Sequence, residues 1–140
     1  MAQKVRDLMT PHPVTLPPDA SLVEAAKQMR AKDIGDVLVV GGDGRLRGIV
    51  TDRDIVVRAL ADDRDAGATT LGEVCSPDLA VLGPEDDTDE AVDVMRERAV
   101  RRIPVIDGGE LMGVLSLGDV AIERDSGSVL ADISAARENT

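Results

Sequence analysis

Gly48-Ile49-Val50-Thr51-Asp52-Arg53-Asp54 and Gly113-Val114-Leu115-Ser116-Leu117-Gly118-Asp119 are two copies of one pattern. Each opens on a glycine, carries a hydroxyl three positions on, and an aspartate three further. Each reads as the end of a β-strand running straight into a helix. A hydroxyl and a carboxylate one helical turn apart at such a junction suit a ribose and a phosphate. The same residues also read as helix caps, Thr51 and Ser116 at the N-cap with Asp54 and Asp119 as N3 partners. The two readings coexist, because helix N-termini both need caps and attract anions.

Working outward, the whole chain repeats. An offset of 66 carries Met9-Thr10-Pro11 onto Cys75-Ser76-Pro77, and Leu16, Pro18, Glu24, Ala25, Met29 and Val39 onto Leu82, Pro84, Glu90, Ala91, Met95 and Val105. After the next turn the offset is 65, carrying Gly48, Thr51 and Asp54 onto Gly113, Ser116 and Asp119. The lost residue falls in a Gly-rich turn, where deletion costs least. The expected organisation is a first repeat over 1–60, a linker over 61–70, a second repeat over 71–124 and a tail over 125–140 with a short helix at 129–137.

Within the first repeat the pattern predicts a helical lead at 4–9, a short strand at 14–16, and a helix capped by Ser21 with Glu24 completing a capping box. Leu22, Ala25, Ala26 and Met29 make its buried face. Strands at 37–40 and 45–50 flank the turn Gly41-Gly42-Asp43-Gly44. A helix over 52–60 turns Ile55, Val56 and Leu60 inward. In the second repeat Asp87 and Glu90 take the capping places, Ala91, Val92 and Met95 the helical face, 103–106 and 111–115 the strands, and 117–124 the closing helix. The class is therefore α/β (α+β): two β-α-β-β-α units, expected to pack sheet against sheet with pseudo-two-fold symmetry and two clefts where strand ends meet.

Composition narrows the function. The chain has 140 residues, enough to bury about 68% of its unfolded surface. Its net charge of −11 argues against nucleic acid and anionic membranes as partners. It leaves room for a small anion held by local arginines. There is no signal-peptide pattern and no apolar run of membrane-spanning length, so a cytoplasmic location is expected. One cysteine, Cys75, excludes an internal disulfide and a Cys-cluster metal site. With no Phe, Tyr or Trp, a bound base would have to sit between branched aliphatics. Nothing resembles a P-loop or a Ca²⁺ loop. His12 stands in a Pro-flanked turn without companions, Cys75 replaces Met9 in the repeat as a packing residue, and the acidic run 85–90 suits a helix N-terminus. No nucleophile–base pair is visible, so no enzyme is expected.

The repeat resembles the CBS domain, named for cystathionine β-synthase, in tandem as a Bateman-type module. The resemblance rests on the two Gly-to-Asp segments, on Met9-Thr10-Pro11, on Ile34-Gly35-Asp36-Val37-Leu38-Val39-Val40, and on Arg101-Arg102-Ile103-Pro104-Val105-Ile106-Asp107. Residues 48–60 are also similar to stand-alone actinobacterial pairs of the hypoxic-response type. The resemblance implies a regulatory module that binds an adenosine ligand such as AMP, ADP, ATP or S-adenosylmethionine and acts in trans on an unknown protein partner. It carries over Asp54 and Asp119 as ribose acceptors, and Thr51 and Ser116 as hydroxyls to ribose or phosphate. Gly35, Asp36, Val37, Ile103 and Pro104 would flank adenine, Thr15 and Val81 would line the base, and Arg53 with Arg101 or Arg102 would meet phosphate. No cofactor or metal is implied. Asp36 departs from the family's usual small residue, Leu38 from the proline kept at Pro104, and Leu117-Gly118 supply no cation where the first copy has Arg53. The clefts are thus expected to be unequal, with Thr51 and Asp54 serving the better one. Apolar helix faces at 22–29, 55–60, 91–95 and 120–122 predict a homodimer. The alternative is a structural, interaction or stress-response dimer with degenerate, ligand-free clefts.

Overall fold

The computed structural model describes residues 3–76 and 79–124; the tail segment 129–137 lies outside them. The elements, in chain order, are α1 (Val5–Leu8), β1 (Thr10–Pro11), β2 (Thr15–Leu16), α2 (Leu22–Lys32), β3 (Asp36–Val40), β4 (Leu46–Thr51), α3 (Asp52–Asp54, running on as a π-helical stretch Ile55–Leu60), α4 (Leu71–Val74), α5 (Thr88–Arg98), β5 (Arg102–Asp107), β6 (Glu110–Ser116) and α6 (Leu117–Arg124). The described residues form two compact units, one from 13–76 and 79, the other from 3–12 together with 80–124. We call these the first-copy and second-copy units.

In the first-copy unit the sheet order is β2-β3-β4. β2 runs parallel to β3, and a parallel pair needs a long crossover, which α2 supplies. The Ser21 hydroxyl accepts from the Glu24 amide at 3.1 Å, satisfying one of the orphan donors at the start of α2. Asp33 ends the helix in the left-handed region (φ 57°) and returns its N–H to the Met29 carbonyl. Leu22, Ala25 and Met29 reach the core, while Ala26 is exposed, so the buried stripe is narrower than the periodicity predicts. Val37, Leu38 and Val39 are all essentially inaccessible, hence the unbroken apolar run. β3 and β4 pair antiparallel across the glycine turn.

The helix after β4 departs further from expectation. Ala59 is the buried residue of its π-helical stretch, whereas Val56 and Leu60 stand 53% and 71% exposed. Widening to an i→i+5 pattern re-aims the side chains. The small alanine is what allows this segment to lie close to its neighbours.

The second-copy unit has sheet order β1-β6-β5. Leu82 forms a single parallel bridge to Val105, the counterpart of the β2–β3 pairing. Its core gathers Val5, Leu82, Ala91, Met95, Ile103, Val105, Leu115 and Val120. Asp87 stands at the N-cap of α5 but makes no cap bond; its carboxylate instead accepts from Lys4 Nζ at 3.1 Å. Ala99 ends α5 as Asp33 ends α2, left-handed (φ 52°) with its N–H on the Met95 carbonyl.

The compact units do not follow the sequential repeats at their leads. Val5 donates its amide to Asp86 (2.8 Å), and Thr10 and Pro11 pair with Val114 and Gly113, so the first lead packs in the second-copy unit. Leu71 donates to Ala20 (2.9 Å) and Ser76 bridges Ile49, so the second lead packs in the first-copy unit. The glycines that open the two motifs make this approach feasible. A Cβ on Gly48 would lie 2.7 Å from the Ser76 carbonyl oxygen and 2.9 Å from Cys75 Sγ. One on Gly113 would lie 2.6 Å from the Thr10 carbonyl oxygen and 3.0 Å from Met9 Sδ.

Candidate functional site

In the first-copy unit the residues singled out by sequence collect at one end of the sheet. Asp36 opposes Thr51 in the β3–β4 register, and Thr15 opposes Leu38 across the parallel pair. The Gly35 carbonyl accepts from the Asp52 amide at 2.9 Å, tying the start of β3 to the start of α3. A Cβ on Gly35 would stand 3.2 Å from Asp52 Oδ2, so this glycine leaves room for a carboxylate. Thr51 and Asp54 form a complete capping box. Thr51 Oγ1 accepts from the Asp54 amide (3.0 Å), and Asp54 Oδ2 accepts from the Thr51 amide (2.9 Å). Asp54 Oδ1 lies 3.8 Å from Arg58 Nε. Arg53 is exposed, and its amide donates to the carboxylate of Asp52 at 2.8 Å.

Arg58 is a residue the sequence reading missed. Its Nη1 donates to the Val74 carbonyl at 3.2 Å, so it joins the capping box to the C-terminal end of α4. The available signal was its position four residues after Asp54, the spacing of a helical ion pair.

The second-copy unit repeats the box. Ser116 Oγ accepts from the Asp119 amide and Asp119 Oδ2 from the Ser116 amide, both at 3.0 Å. Arg102 opposes Ser116 within the sheet, while Arg101 is exposed and its carbonyl accepts from the Leu117 amide at 2.7 Å. The adjacent arginines are therefore separated, one in the ladder and one on a cavity of about 480 Å³ between the end of α5 and the start of α6. Ile103 and Pro104 are fully buried in β5, and Val81, 50% exposed, precedes the bridge at Leu82. Thr15 is exposed.

Among the described residues no cluster of three or more His, Cys, Asp or Glu is placed to hold a metal. None of their helices is long and apolar enough to cross a membrane. Burial pushes the Cys75 thiol above its ordinary range, with its own backbone hydrogen bond and Arg58 opposing weakly.

Two copies of one β-α-β-β-α unit, each ending in a Gly-to-Asp strand–helix junction, define a tandem-repeat module. Residues 5–60 and 71–125 each match the CBS domain family. The chain belongs to that family. It is 37% identical over 134 residues to the CBS domain-containing protein YhcV of Bacillus subtilis, covering 93% of this chain and 94% of the relative. It is 36% identical over 116 residues to Hypoxic response protein 1 of Mycobacterium tuberculosis, 83% of this chain and 81% of that one. A crystal structure of Hypoxic Response Protein I with two coordinated zinc ions matches with a TM-score of 0.79 over 86% of this chain and 98% of that one, at 35% identity. The CBS domain pair of protein MJ0100, solved in complex with 5′-methylthioadenosine and S-adenosyl-L-methionine, matches in fold with a TM-score of 0.81 at 23% identity, over 91% of this chain and the whole of that one.

Proposed function

We propose that this chain is a cytoplasmic regulatory module that binds an adenosine ligand of the AMP, ADP or ATP type, with S-adenosylmethionine a further candidate, and acts in trans on a protein partner. The observation that carries the reading is the pair of matched capping boxes. Each places a hydroxyl and a carboxylate side by side at a strand–helix junction, and each carboxylate spends one oxygen on the cap. The remaining lone pairs suit ribose hydroxyls, and the exposed Arg53 and Arg101 supply charge for a phosphate. The carboxylates of Asp54 and Asp119 would accept from the ribose. Gly35, Asp36, Val37, Ile103 and Pro104 would border the base, with Thr15 and Val81 beside it. A neighbour of the same fold binding two adenosine compounds supports the ligand class. The role is binding rather than catalysis.

Since the chain has no Phe, Tyr or Trp, it absorbs almost nothing near 260–280 nm, and a 260 nm peak co-eluting with it reports nucleotide directly. Mass spectrometry of the released compound identifies it. Thermal midpoints should rise with AMP, ADP, ATP or S-adenosylmethionine by mass action. No co-purifying ligand and no shift at millimolar concentration would overturn the reading. They would favour a second one, a structural or interaction dimer with ligand-free clefts, which draws on the exposed Val56, Val57 and Leu60.

A further inference from the structure

Helices α2 and α5 are equivalent residue for residue. Each is 11 residues long, each buries the same stripe (Leu22, Ala25 and Met29; Thr88, Ala91 and Met95), and each ends left-handed. The same side of both helices therefore faces outward, and it carries opposite net charge in the two. α2 sets one exposed carboxylate, Glu24, against three exposed cations, Lys27, Arg30 and Lys32. α5 sets four exposed carboxylates, Asp89, Glu90, Asp93 and Glu97, against two exposed cations, Arg96 and Arg98. The difference falls on one line of the helix surface. Val23, Lys27 and Ala31, spaced four apart in α2, become Asp89, Asp93 and Glu97 in α5.

Three carboxylates at such a spacing repel one another along a helix, and Glu97 stands in the last turn, where the macrodipole disfavours an anion. Arg96 comes only to 3.8 Å of Asp93, with 76% and 66% of the two side chains open to solvent, so this pair offsets little of the repulsion. The acidic line thus weakens α5 as an isolated helix. The other exposed side chains of α2 are Val23, Ala26 and Ala31, apolar and small enough for a second helix to lie close. On α5 the half-buried Val92 and Val94 supply the matching apolar surface.

We propose that the outward face of α2 in one chain packs against the outward face of α5 in a second copy. Laid antiparallel, the two helices are complementary along their length. Lys32 and Arg30 meet Asp89 and Glu90, Lys27 meets Asp93, and Glu24 meets Arg96 and Arg98. Lys27 is the middle residue of α2, and Asp93 is the middle residue of α5. A two-fold dimer of like faces would lay Lys27 on Lys27 and Asp93 on Asp93. The unlike pairing lays Lys27 on Asp93, so charge both favours association and selects its orientation. Apolar faces alone would leave that orientation open. Two-fold symmetry makes the contact occur twice in each dimer. The pairing is independent of any ligand.

Charge reversal in the whole chain provides the test. Lys27→Glu and Asp93→Lys should each raise the dimer dissociation constant by about tenfold or more in sedimentation equilibrium at low salt, with far-ultraviolet circular dichroism unchanged. The double variant restores an opposite pair and should recover most of the lost affinity. Added salt should weaken the wild-type dimer. Orientation is read by cross-linking with a short bis-maleimide, Cys75→Ala being present throughout. Chains carrying Lys27→Cys and chains carrying Asp93→Cys should cross-link when mixed, and far less when either is alone. A monomeric wild type, single variants that leave the dimer unchanged, or a double variant no tighter than the singles would overturn the proposal. So would either cysteine chain cross-linking alone as readily as the mixture, which would show like faces paired.

Discussion

A single hydrogen decides the packing at Gly48 and Gly113. Neither glycine has a positive φ; each is required because a carbonyl of another stretch of backbone lies within 2.7 Å of where a Cβ would stand. Gly48→Ala or Gly113→Ala forces a carbonyl away and should cost about 1–3 kcal/mol, read as a lowered urea midpoint with an unchanged slope. Thr51→Ala removes one half of a cap and should cost about 1 kcal/mol, whereas Thr51→Ser keeps the oxygen and most of the stability. Binding measured beside stability separates cap from ligand contact: a ligand role predicts weaker AMP binding for Asp54→Asn and Asp119→Asn at temperatures where both variants remain folded. Two further groups respond to pH. Cys75, raised by burial, keeps its proton where a free thiol is already ionising. Its reaction with a disulfide reagent near pH 8 should be slower than that of glutathione, since the thiolate is the nucleophile. The sign for stability follows from the native state holding that proton more tightly: stability falls as pH rises past the ordinary thiol range. Glu73 has the opposite sign. The Thr70 amide (2.7 Å), then the Thr70 hydroxyl and Arg64, hold its carboxyl below the usual range, so its stabilisation is present above that range and fades as pH falls through the lowered value.

At the scale of elements, periodicity and turn chemistry located the long helices and the paired strands, because each repeat announces its strands by apolar runs and its helix starts by Ser, Thr or Asp; the two-residue β1 and the four-residue α4 are too short to show a period. The glycine–hydroxyl–aspartate spacing also located both capping boxes. What the pattern concealed has physical causes. The π-helical stretch 55–60 obeys no 3.6-residue period, so reading it as an ordinary helix turned Val56 and Leu60 inward when Ala59 is the packed residue. Asp87 has the right residue type to cap α5, but Lys4, 83 positions earlier in the chain, takes its carboxylate, and no local rule sees such a partner. Arg96 and Arg101 sit five residues apart and border one cavity, with the left-handed turn at Ala99 between them. The exposed apolar face of 56–60 is the feature here that most needs covering, and a second copy is the occupant we propose. Leu60→Glu should then halve the mass seen by light scattering while leaving far-ultraviolet circular dichroism unchanged; a monomeric wild type would remove the dimer from consideration.

For the whole molecule, the decisive fact is that each lead belongs to the other copy's core. Cutting the chain within 62–68 should therefore give two fragments that each lack the piece that seals them. Val5 is lost to the second-copy core, and Leu71 and Val74 to the first. Separately expressed, the fragments should show little cooperative melting. Mixed, they should recover a single transition, and independent folding of either would show that the leads contribute little.

The same lacing sets an order of events as the chain is made. Every described residue of the first-copy core lies between Val14 and Cys75, so that unit can close as soon as α4 has emerged. Residues 5–11 emerge well before β5 and β6 and nonetheless settle only after them. Val5 must wait for Leu82 and then for β6, closing a loop of roughly eighty residues. A nascent chain with everything up to residue 76 outside the ribosome would hold a closed first-copy unit and an undocked lead, which docks once β6 has emerged.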